Sequence, residues 1–264
     1  MPPLDNLFAK GVIAANTDFG LFLFVDMKTA FLIDGGFFIK RYSYIKGFNK
    51  SDSPDLVAKN LVSYCFRHIQ RINDYRFRYG LPPTELYRIF YYDAEPFQGD
   101  SHHPITGKAF SFKRTDIFKF RSTLFTELKK QRKIALRLGF LKNSSRQWNI
   151  KSRHTKDLIS GKKQIQDLNE FDVEYPLSQK AVDMKIGLDI ATLAFKERVD
   201  QMILIAGDSD FVPAAKFARK EGIDFILDPM LNAIDPSLHE HIDGLMTIKS
   251  MQRNNGKKTD SSDN

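Results

Sequence analysis

The sequence has little cysteine. Cys65 is the single cysteine among 264 residues, which excludes an intramolecular disulfide framework and a zinc site built from several thiolates. A chain without disulfides suits a reducing compartment, so we expect a cytoplasmic protein. Cys65 lies in a stretch with helical periodicity, and we expect it to be a small buried side chain.

Long apolar runs are also lacking. Residues 19–25 are apolar but too few to cross a bilayer. No basic flank precedes them, as it would in a signal peptide, and Asp26 and Lys28 follow directly. We therefore expect no membrane association.

The ends of the chain differ in composition from its middle. We expect residues 1–26 to be a poorly ordered N-terminal extension, translated from an upstream start. Residues 253–264 contain no large apolar side chain, which predicts a disordered polar tail. Residues 27–252 are long enough to bury one substantial core, and we expect a single domain there.

Positive charge is in excess. The formal net charge is +8, and lysines and arginines crowd residues 129–163, which we call the basic belt. Such an excess suits a polyanionic partner, so we expect the belt to follow a nucleic-acid backbone; a solvated helix face is the alternative. Trp148 and Phe140 are candidate stacking faces, although core packing explains these aromatic residues better.

Two short apolar runs stop abruptly at aspartates and glycines. Residues 203–206 precede Gly207, Asp208 and Asp210, and residues 29–33 precede Asp34. An apolar run of strand length that leads into a helix is typical of a buried parallel strand. Because open α/β sheets bind ligands beyond the carboxyl ends of their strands, the two acidic strand ends predict one shared site.

Elsewhere the apolar spacing alternates between strand and helix. Strands separated by helices predict an α/β fold with a mainly parallel, right-handed, Rossmann-like sheet sandwiched by helices. No G-x-G-x-x-G sequence follows either acidic strand, which disfavours a dinucleotide-binding site. The pattern predicts a helix over 54–79, a strand over 86–93, an irregular polar insertion over 99–119, a basic amphipathic helix over 121–137, and a helix over 182–196.

Four motifs occur in a characteristic order. They are FLIDGGFF at 31–38, KAVDMKIGLD at 180–189, AGDSDF at 206–211 and ARKEG at 218–222. This series resembles the NYN domain, of the LabA-like branch, a relative of the PIN nuclease domains. The resemblance implies a PIN-like sandwich whose carboxylates hold Mg²⁺ or Mn²⁺ and hydrolyse RNA, with single-stranded RNA as the expected partner. On that pattern Asp34, Asp183, Asp208 and Asp210 are the metal-binding and catalytic positions.

Gly36 departs from the family pattern. Many members have asparagine two residues after the first aspartate, where a side chain could position water or contact phosphate. A catalytically weak or inactive RNA-binding module is therefore the alternative function. A haloacid-dehalogenase-type phosphatase is disfavoured by the same residue, since it needs a second aspartate there. The sequence leaves the oligomeric state open, a homo-oligomer included.

The residues themselves support a metal. Two carboxylates about 4 Å apart repel by roughly 4 kcal/mol at an effective dielectric constant near 20. Several in one cleft would take up protons unless a cation binds among them. Ligand sets made only of oxygen favour a hard cation, and Mg²⁺ characteristically uses few carboxylates together with waters and substrate phosphate.

The candidate aspartates also have structural explanations. Asp210 is a candidate cap for the next helix, and Asp183 can complement a helix dipole. Asp189 lies roughly 240° around the helix from Asp183, so we expect it to support the site from outside or to be structural. Asp93, at the end of the strand over 86–93, is a weaker candidate ligand.

Basic side chains near the motifs are candidate phosphate contacts. Lys180 precedes the second motif's aspartate, and Lys40 and Arg41 follow the first motif. Exposed side chains without a specific role are the alternative. His102, His103 and His154 lack metal-ligand spacing, and we expect them to lie in loops.

Overall fold

A computed structural model describes residues 27–143 and 147–251, together with the backbone of residues 13–15 and 22–24. Those two short segments pair as antiparallel strands. The N-terminal extension expected over 1–26 falls mostly outside the described residues, and the polar tail expected over 253–264 falls entirely outside them.

The described elements alternate between strands and helices along most of the chain. The strands are β1 Ile13–Ala15, β2 Phe22–Phe24, β3 Met27–Asp34, β4 Thr84–Glu95, β5 Asp100–His102, β6 Ala109–Ser111, β7 Ile134–Lys142, β8 Asn149–Ile150, β9 Val173–Glu174, β10 Ser178–Lys180, β11 Gln201–Ile205, β12 Asp224–Asp228 and β13 Gly244–Leu245. The helices are α1 Gly35–Arg41, α2 Pro54–Arg78, α3 Asp116–Lys130, α4 Ser152–Ile159, α5 Val182–Phe195, α6 Val212–Lys220 and α7 Pro236–His239.

One sheet organises the fold. Its seven strands lie in the order β10-β7-β4-β3-β11-β12-β13, and every neighbouring pair is parallel except β10 with β7. Side chains that alternate along β3 enter two separate cores. Phe31 and Ile33 pack on the side of α2 and α3, whereas Ala30 and Leu32 pack on the side of α5 and α6. The predicted α/β sandwich with a mainly parallel sheet is confirmed.

The order of the strands reverses next to β3. The chain passes from β3 outward to β4 and β7, and later returns to the other side of β3 as β11. Ile33 of β3 is paired with Ile205 of β11, so the two strands end side by side. Ligands of open α/β sheets bind at such a switch point, on what we call the carboxyl edge of the sheet.

The predicted helix over 121–137 was wrong at both ends. The helix α3 begins at Asp116, where the Thr115 hydroxyl accepts a hydrogen bond from the Phe118 amide at 3.2 Å. It ends at Lys130, and Lys133 has a φ of 64°, so the chain turns there before β7 pairs with β4. The helix was predicted to end too late because lysines and arginines continue past α3 through the turn and into β7.

The insertion predicted as irregular over 99–119 contains regular structure. The strands β5 and β6 form an antiparallel hairpin, with Ser101 opposite Phe110, and α3 begins before the insertion ends. Among the described residues, no helix is long and apolar enough to span a membrane.

The first part of the basic belt lies far from the switch point. Lys129 and Lys130 end α3 just before β7 begins, which places them at the opposite, amino edge of the sheet. The Lys133 ammonium donates a hydrogen bond to the Leu86 carbonyl and so has a structural partner. The basic residues just before β7 therefore do not flank the acidic strand ends.

Candidate metal and nucleic-acid site

Asp34 is the last residue of β3 and caps α1. Its Oδ1 accepts a hydrogen bond from the Phe37 amide at 3.0 Å, which fixes the carboxylate at the start of the helix. The next residue, Gly35, is buried against the ring of Tyr91: a Cβ there would lie 2.5 Å from Tyr91 Cζ. Glycine is thus required for the strand to turn into α1 at this point.

The end of β11 packs against the start of α1. A Cβ on Gly207 would collide with the ring of Phe37, so the missing side chain lets that ring lie against the backbone at Gly207. Asp208 follows and accepts a hydrogen bond from the Asp210 amide at 3.1 Å across a 3-10 turn, Ser209–Phe211. Asp208 therefore caps the 3-10 turn that leads into α6. The residue before α6 is Phe211, so Asp210 does not cap that helix.

Asp183 enters from a third element. It lies in the first turn of α5, which follows β10 after a sharp bend at Ala181, where φ is 67°. Its side chain is exposed, unlike the partly buried carboxylate of Asp34. An acidic residue in the first turn also complements the helix dipole, so the structural role considered for Asp183 is compatible with a role in the site.

The four aspartates share one electrostatic environment. Burial raises the pKa of the Asp34 carboxyl, the hydrogen bond from Phe37 opposes that rise, and the negative charges of Asp183 and Asp208 add to it. Although Asp183 is exposed, partial loss of hydration raises its pKa, as do the charges of Asp208 and Asp210. The structure thus brings the candidate carboxylates from β3, β11 and α5 within electrostatic reach of one another.

The donor set fits a hard divalent cation in its chemistry. A bound cation stabilises mutually repelling carboxylates in their charged form, and the raised pKa values of Asp34 and Asp183 reflect such repulsion in part. Within residues 27–143 and 147–251, no three acidic, histidine or cysteine side chains are already arranged to hold a metal ion. A site that binds Mg²⁺ through one or two carboxylates, waters and substrate phosphate does not need such a preformed cage.

Asp189 lies outside this cluster. Its Oδ2 accepts hydrogen bonds from the Tyr92 hydroxyl and from Arg137 Nε, both at 2.9 Å. Burial raises the pKa of Tyr92, and the neighbouring Asp189 charge raises it further. These contacts join α5 to β4 and β7, which is a sufficient structural reason for an aspartate at this position.

Asp93 is also engaged elsewhere. It is buried near the end of β4 and forms an ion pair with Arg121 of α3. Its Oδ1 accepts the Ala94 amide at 2.8 Å, and its Oδ2 lies 3.4 Å from the Tyr91 hydroxyl, which donates to it. Because the ion pair neutralises its charge, Asp93 is not one of the repelling carboxylates.

The candidate phosphate contacts differ in their exposure and in whether they already form hydrogen bonds within the protein. Lys40 is exposed in the last turn of α1, and Lys180 is exposed at the end of β10, three residues before Asp183. Arg41 donates two hydrogen bonds to the Met230 carbonyl, at 3.2 and 3.1 Å, and its guanidinium lies 3.7 Å from the centre of the Tyr44 ring. Arg41 thus holds the loop after β12.

A buried polar network that no sequence motif indicated lies at the end of β12. Asp228 is fully buried and accepts hydrogen bonds from the Tyr64 hydroxyl at 2.6 Å and the Thr247 hydroxyl at 2.6 Å. His68 Nε2 lies 2.8 Å from the same carboxylate. Asp228 ends an apolar strand as Asp34 does, but the helical periodicity of α2 gave no sign that its polar residues face that strand.

Of the three histidines expected in loops, His103 lies in the loop between β5 and β6, and the other two lie on elements. His102 ends β5, and His154 lies in α4, 2.9 Å from Asp172. His103 packs beside Trp148, with ring centres 4.8 Å apart. Trp148 is half-buried in an aromatic cluster, as core packing predicts, whereas Phe140 is exposed on β7.

An α/β sandwich with a mainly parallel sheet flanked by helices is consistent with a PIN-like domain. The NYN domain family, which is PIN-like, matches residues 104–233 of this chain. The match includes Asp183, Asp208 and Asp210 but begins after β3, so Asp34 is outside it.

Other comparisons add little. No curated protein matches the chain. A crystal structure of a protein of unknown function from Vibrio parahaemolyticus is similar at 15% sequence identity, over 90% of this chain and 97% of that chain, with a TM-score of 0.36.

Proposed function

We propose that this protein is a divalent-metal-dependent ribonuclease that hydrolyses phosphodiester bonds of single-stranded RNA. The observation that carries the proposal is the position of the aspartates: Asp34 ends β3, Asp208 and Asp210 follow the neighbouring β11, and Asp183 lies in the first turn of α5. The NYN match supports a nuclease acting on RNA, and the net charge of +8 suits a polyanionic substrate.

In this proposal the four aspartates hold Mg²⁺ or Mn²⁺ together, one or two of them directly and the others through bound waters. The bound ion would supply a water of lowered pKa and charge stabilisation at the phosphate. Asp34 and Asp208 are suited to a fixed role because each carboxylate also accepts a backbone amide hydrogen bond. Asp183 and Asp210 are exposed and are suited to adjusting to the substrate.

Positive side chains near the cluster would bind the RNA backbone. Lys180 and Lys40 are exposed and near the carboxyl edge, and we propose them as phosphate contacts. Asp189, through Arg137 and Tyr92, would hold α5 in place from outside the metal site. Arg41 would support the site only indirectly, through the Met230 carbonyl.

Membership of the LabA-like branch and a cytoplasmic location are parts of the same proposal. The spacing of the motifs over 180–189 and 206–211 supports the first. The second is supported by the single cysteine, a buried free thiol whose pKa is raised by burial.

A cleavage assay tests the proposal. The purified protein should cut a short single-stranded RNA in Mn²⁺ or Mg²⁺, and EDTA and Asp208→Asn should each abolish the activity. Asp235→Asn is a matched control, because Asp235 is also an exposed aspartate that accepts an amide hydrogen bond two residues ahead. Cleavage that survives chelation or Asp208→Asn would contradict the proposal.

A catalytically weak or inactive RNA-binding module is the second candidate, and Gly36 is the residue that favours it. A Cβ at this position would lie 3.3 Å from Asp34 Oδ1, so a side chain here would border the carboxylate. Asparagine is common at this position in the family that the sequence resembles. If the parent binds RNA without cutting it and Gly36→Asn gains metal-dependent cleavage, this second candidate is correct.

A further inference from the structure

A pocket of about 360 Å³ opens at the carboxyl edge beside the aspartate cluster. Its walls are mainly aromatic and apolar, and we call it the aromatic pocket. The residues that matter for its chemistry are Phe97, Phe110, Phe112, Phe118, Arg121 and Gln179. Neither the sequence motifs nor the NYN match assigns this pocket a role.

The aromatic pocket adjoins the acidic site on two sides. Asp93 and Ala94 at its base belong to β4, the direct neighbour of β3. Tyr91 connects the two places, because its ring contacts Gly35 next to Asp34 and its hydroxyl donates to Asp93. On the other side, Gln179 belongs to β10, four residues before Asp183.

Aromatic rings make up much of the wall of the pocket. Phe97 and Phe112 meet edge to face with their ring centres 5.1 Å apart, and Phe110 meets Phe112 in the same way at 4.9 Å. Phe97, Phe110 and Phe112 are partly exposed, so they are not fully buried in the main core. Flat aromatic ligands bind such surfaces by stacking and edge contacts.

Polar groups are present at the rim and base. Arg121 uses Nη1 in its ion pair with Asp93, and its Nε and Nη2 have no hydrogen-bond partner among the described residues. Gln179 is exposed on the edge strand, and its amide can both donate and accept. An apolar pocket with a few polar groups that fix orientation is typical of a site for a small planar ligand.

We propose that the aromatic pocket binds one unpaired nucleobase of the RNA strand whose backbone lies at the aspartate cluster. This inference rests on the proposed ribonuclease function and specifies its substrate. A base in a duplex cannot enter such a pocket, whereas a single-stranded base is free to leave the stack. The pocket therefore gives the protein a physical reason to act on single-stranded RNA.

Binding of a fluorescent RNA tests the inference apart from catalysis. The protein carries Asp208→Asn and is kept in EDTA, and the probe is a short oligouridylate with 2-aminopurine at one position, moved along the strand. At one register the 2-aminopurine fluorescence should be quenched by stacking. Replacing that nucleotide by an abasic site should weaken binding about tenfold, in the range measured for loss of one stacked base.

The same phenylalanine-to-leucine substitution at two positions distinguishes a role of the pocket from a general effect on folding or RNA binding. Phe112→Leu should weaken binding of the 2-aminopurine RNA and leave binding of the abasic RNA unchanged. Phe195→Leu is the control, since Phe195 is exposed at the far end of α5, about 20 Å along the helix from Asp183. A melting curve of each variant shows that it is folded.

The outcomes distinguish this inference from the proposed function. If RNA binds and is cleaved by the parent, but neither the abasic site nor Phe112→Leu changes affinity, the pocket does not bind a base and the ribonuclease proposal stands. If Phe112→Leu weakens the abasic RNA equally, the effect is structural and the inference is overturned. If the variant binds no RNA while the parent cleaves it with metal, the inference is overturned and the ribonuclease proposal stands; if the parent with metal neither binds nor cleaves RNA, both proposals are overturned.

Discussion

At the scale of single residues, the site combines buried charge with fixed geometry. Asp34 is held between a strand and a helix by the Phe37 amide, and its neighbours Gly35 and Gly207 have no room for a side chain. The cost of this arrangement is that a partly buried carboxylate faces the charges of Asp183 and Asp208. Without a cation, this residue opposes folding at neutral pH.

The first prediction follows from the raised pKa of Asp34. The folded state holds the proton more tightly than the unfolded state, whose carboxyl titrates near 3.8, so this group's contribution to stability falls as the pH rises above that value. Asp34→Asn removes this loss and keeps an oxygen for the Phe37 amide. Without metal, the variant should melt about 2–4 °C higher at pH 7, the shift that roughly 1 kcal/mol causes in a domain of this size.

The measurement is a series of melting curves of parent and variant from pH 3.5 to 7 in EDTA. The difference should shrink toward the acidic end, where Asp34 is protonated in both states. Asp235→Asn is the control of opposite sign, because hydrogen bonds from Ser237 lower the pKa of Asp235. An Asp34→Asn variant that is less stable than the parent at pH 7 would show that Asp34 is not under electrostatic strain.

At the scale of elements, the sequence predicted those parts whose pattern is local. The apolar run and aspartate of β3, the stripe of α5 and the helix α2 were placed within a few residues. The prediction of α3 failed because lysines continue past the helix into a turn, and charge periodicity alone does not distinguish the two. The start of α3 is set by the cap at Thr115, and its end is set by the pairing of the following strand, β7, with β4.

The second prediction concerns which basic residues meet RNA. Lys180 lies at the carboxyl edge, whereas Lys130 lies at the amino edge and pairs with Glu127 at 2.7 Å. Lys180→Glu should reduce the slope of log affinity against log salt by about 0.7 or more, the value for one phosphate contact of a single strand. Lys130→Glu should change the slope less. A larger effect of Lys130→Glu would place the RNA along the basic belt instead.

The third prediction concerns the network that joins β12 to α2. Asp228→Ala leaves the buried hydroxyl of Tyr64, the ring of His68 and the Met230 amide without their acceptor. Each unsatisfied buried group costs about 1–3 kcal/mol, so the variant should lose at least about 3 kcal/mol in urea unfolding. Asp235→Ala, at an exposed helix cap, should lose clearly less. Equal losses would mean that the network contributes little.

At the scale of the whole molecule, the site depends on contacts between distant parts of the chain. The strand-end aspartates were found in the sequence because each follows its own apolar strand. The aromatic pocket was not found, because its walls come from β4, the β5–β6 hairpin, α3, β7 and β10. The same holds for Tyr64 and Asp228, which are 164 residues apart. A local sequence pattern does not indicate contacts between residues that are far apart in the chain.

The central claim is that the four aspartates bind a divalent cation at the switch point. The most direct test is a calorimetric titration of Mn²⁺ into the metal-free protein. The parent should bind Mn²⁺ more tightly as the pH rises, because carboxyls with raised pKa values must release protons to bind it. Asp34→Asn and Asp208→Asn should each weaken binding at least about tenfold, an effect reached even by residues that only support metal ligands. Asp235→Asn should bind as the parent does. Equal Mn²⁺ affinities in all four proteins would contradict the claim.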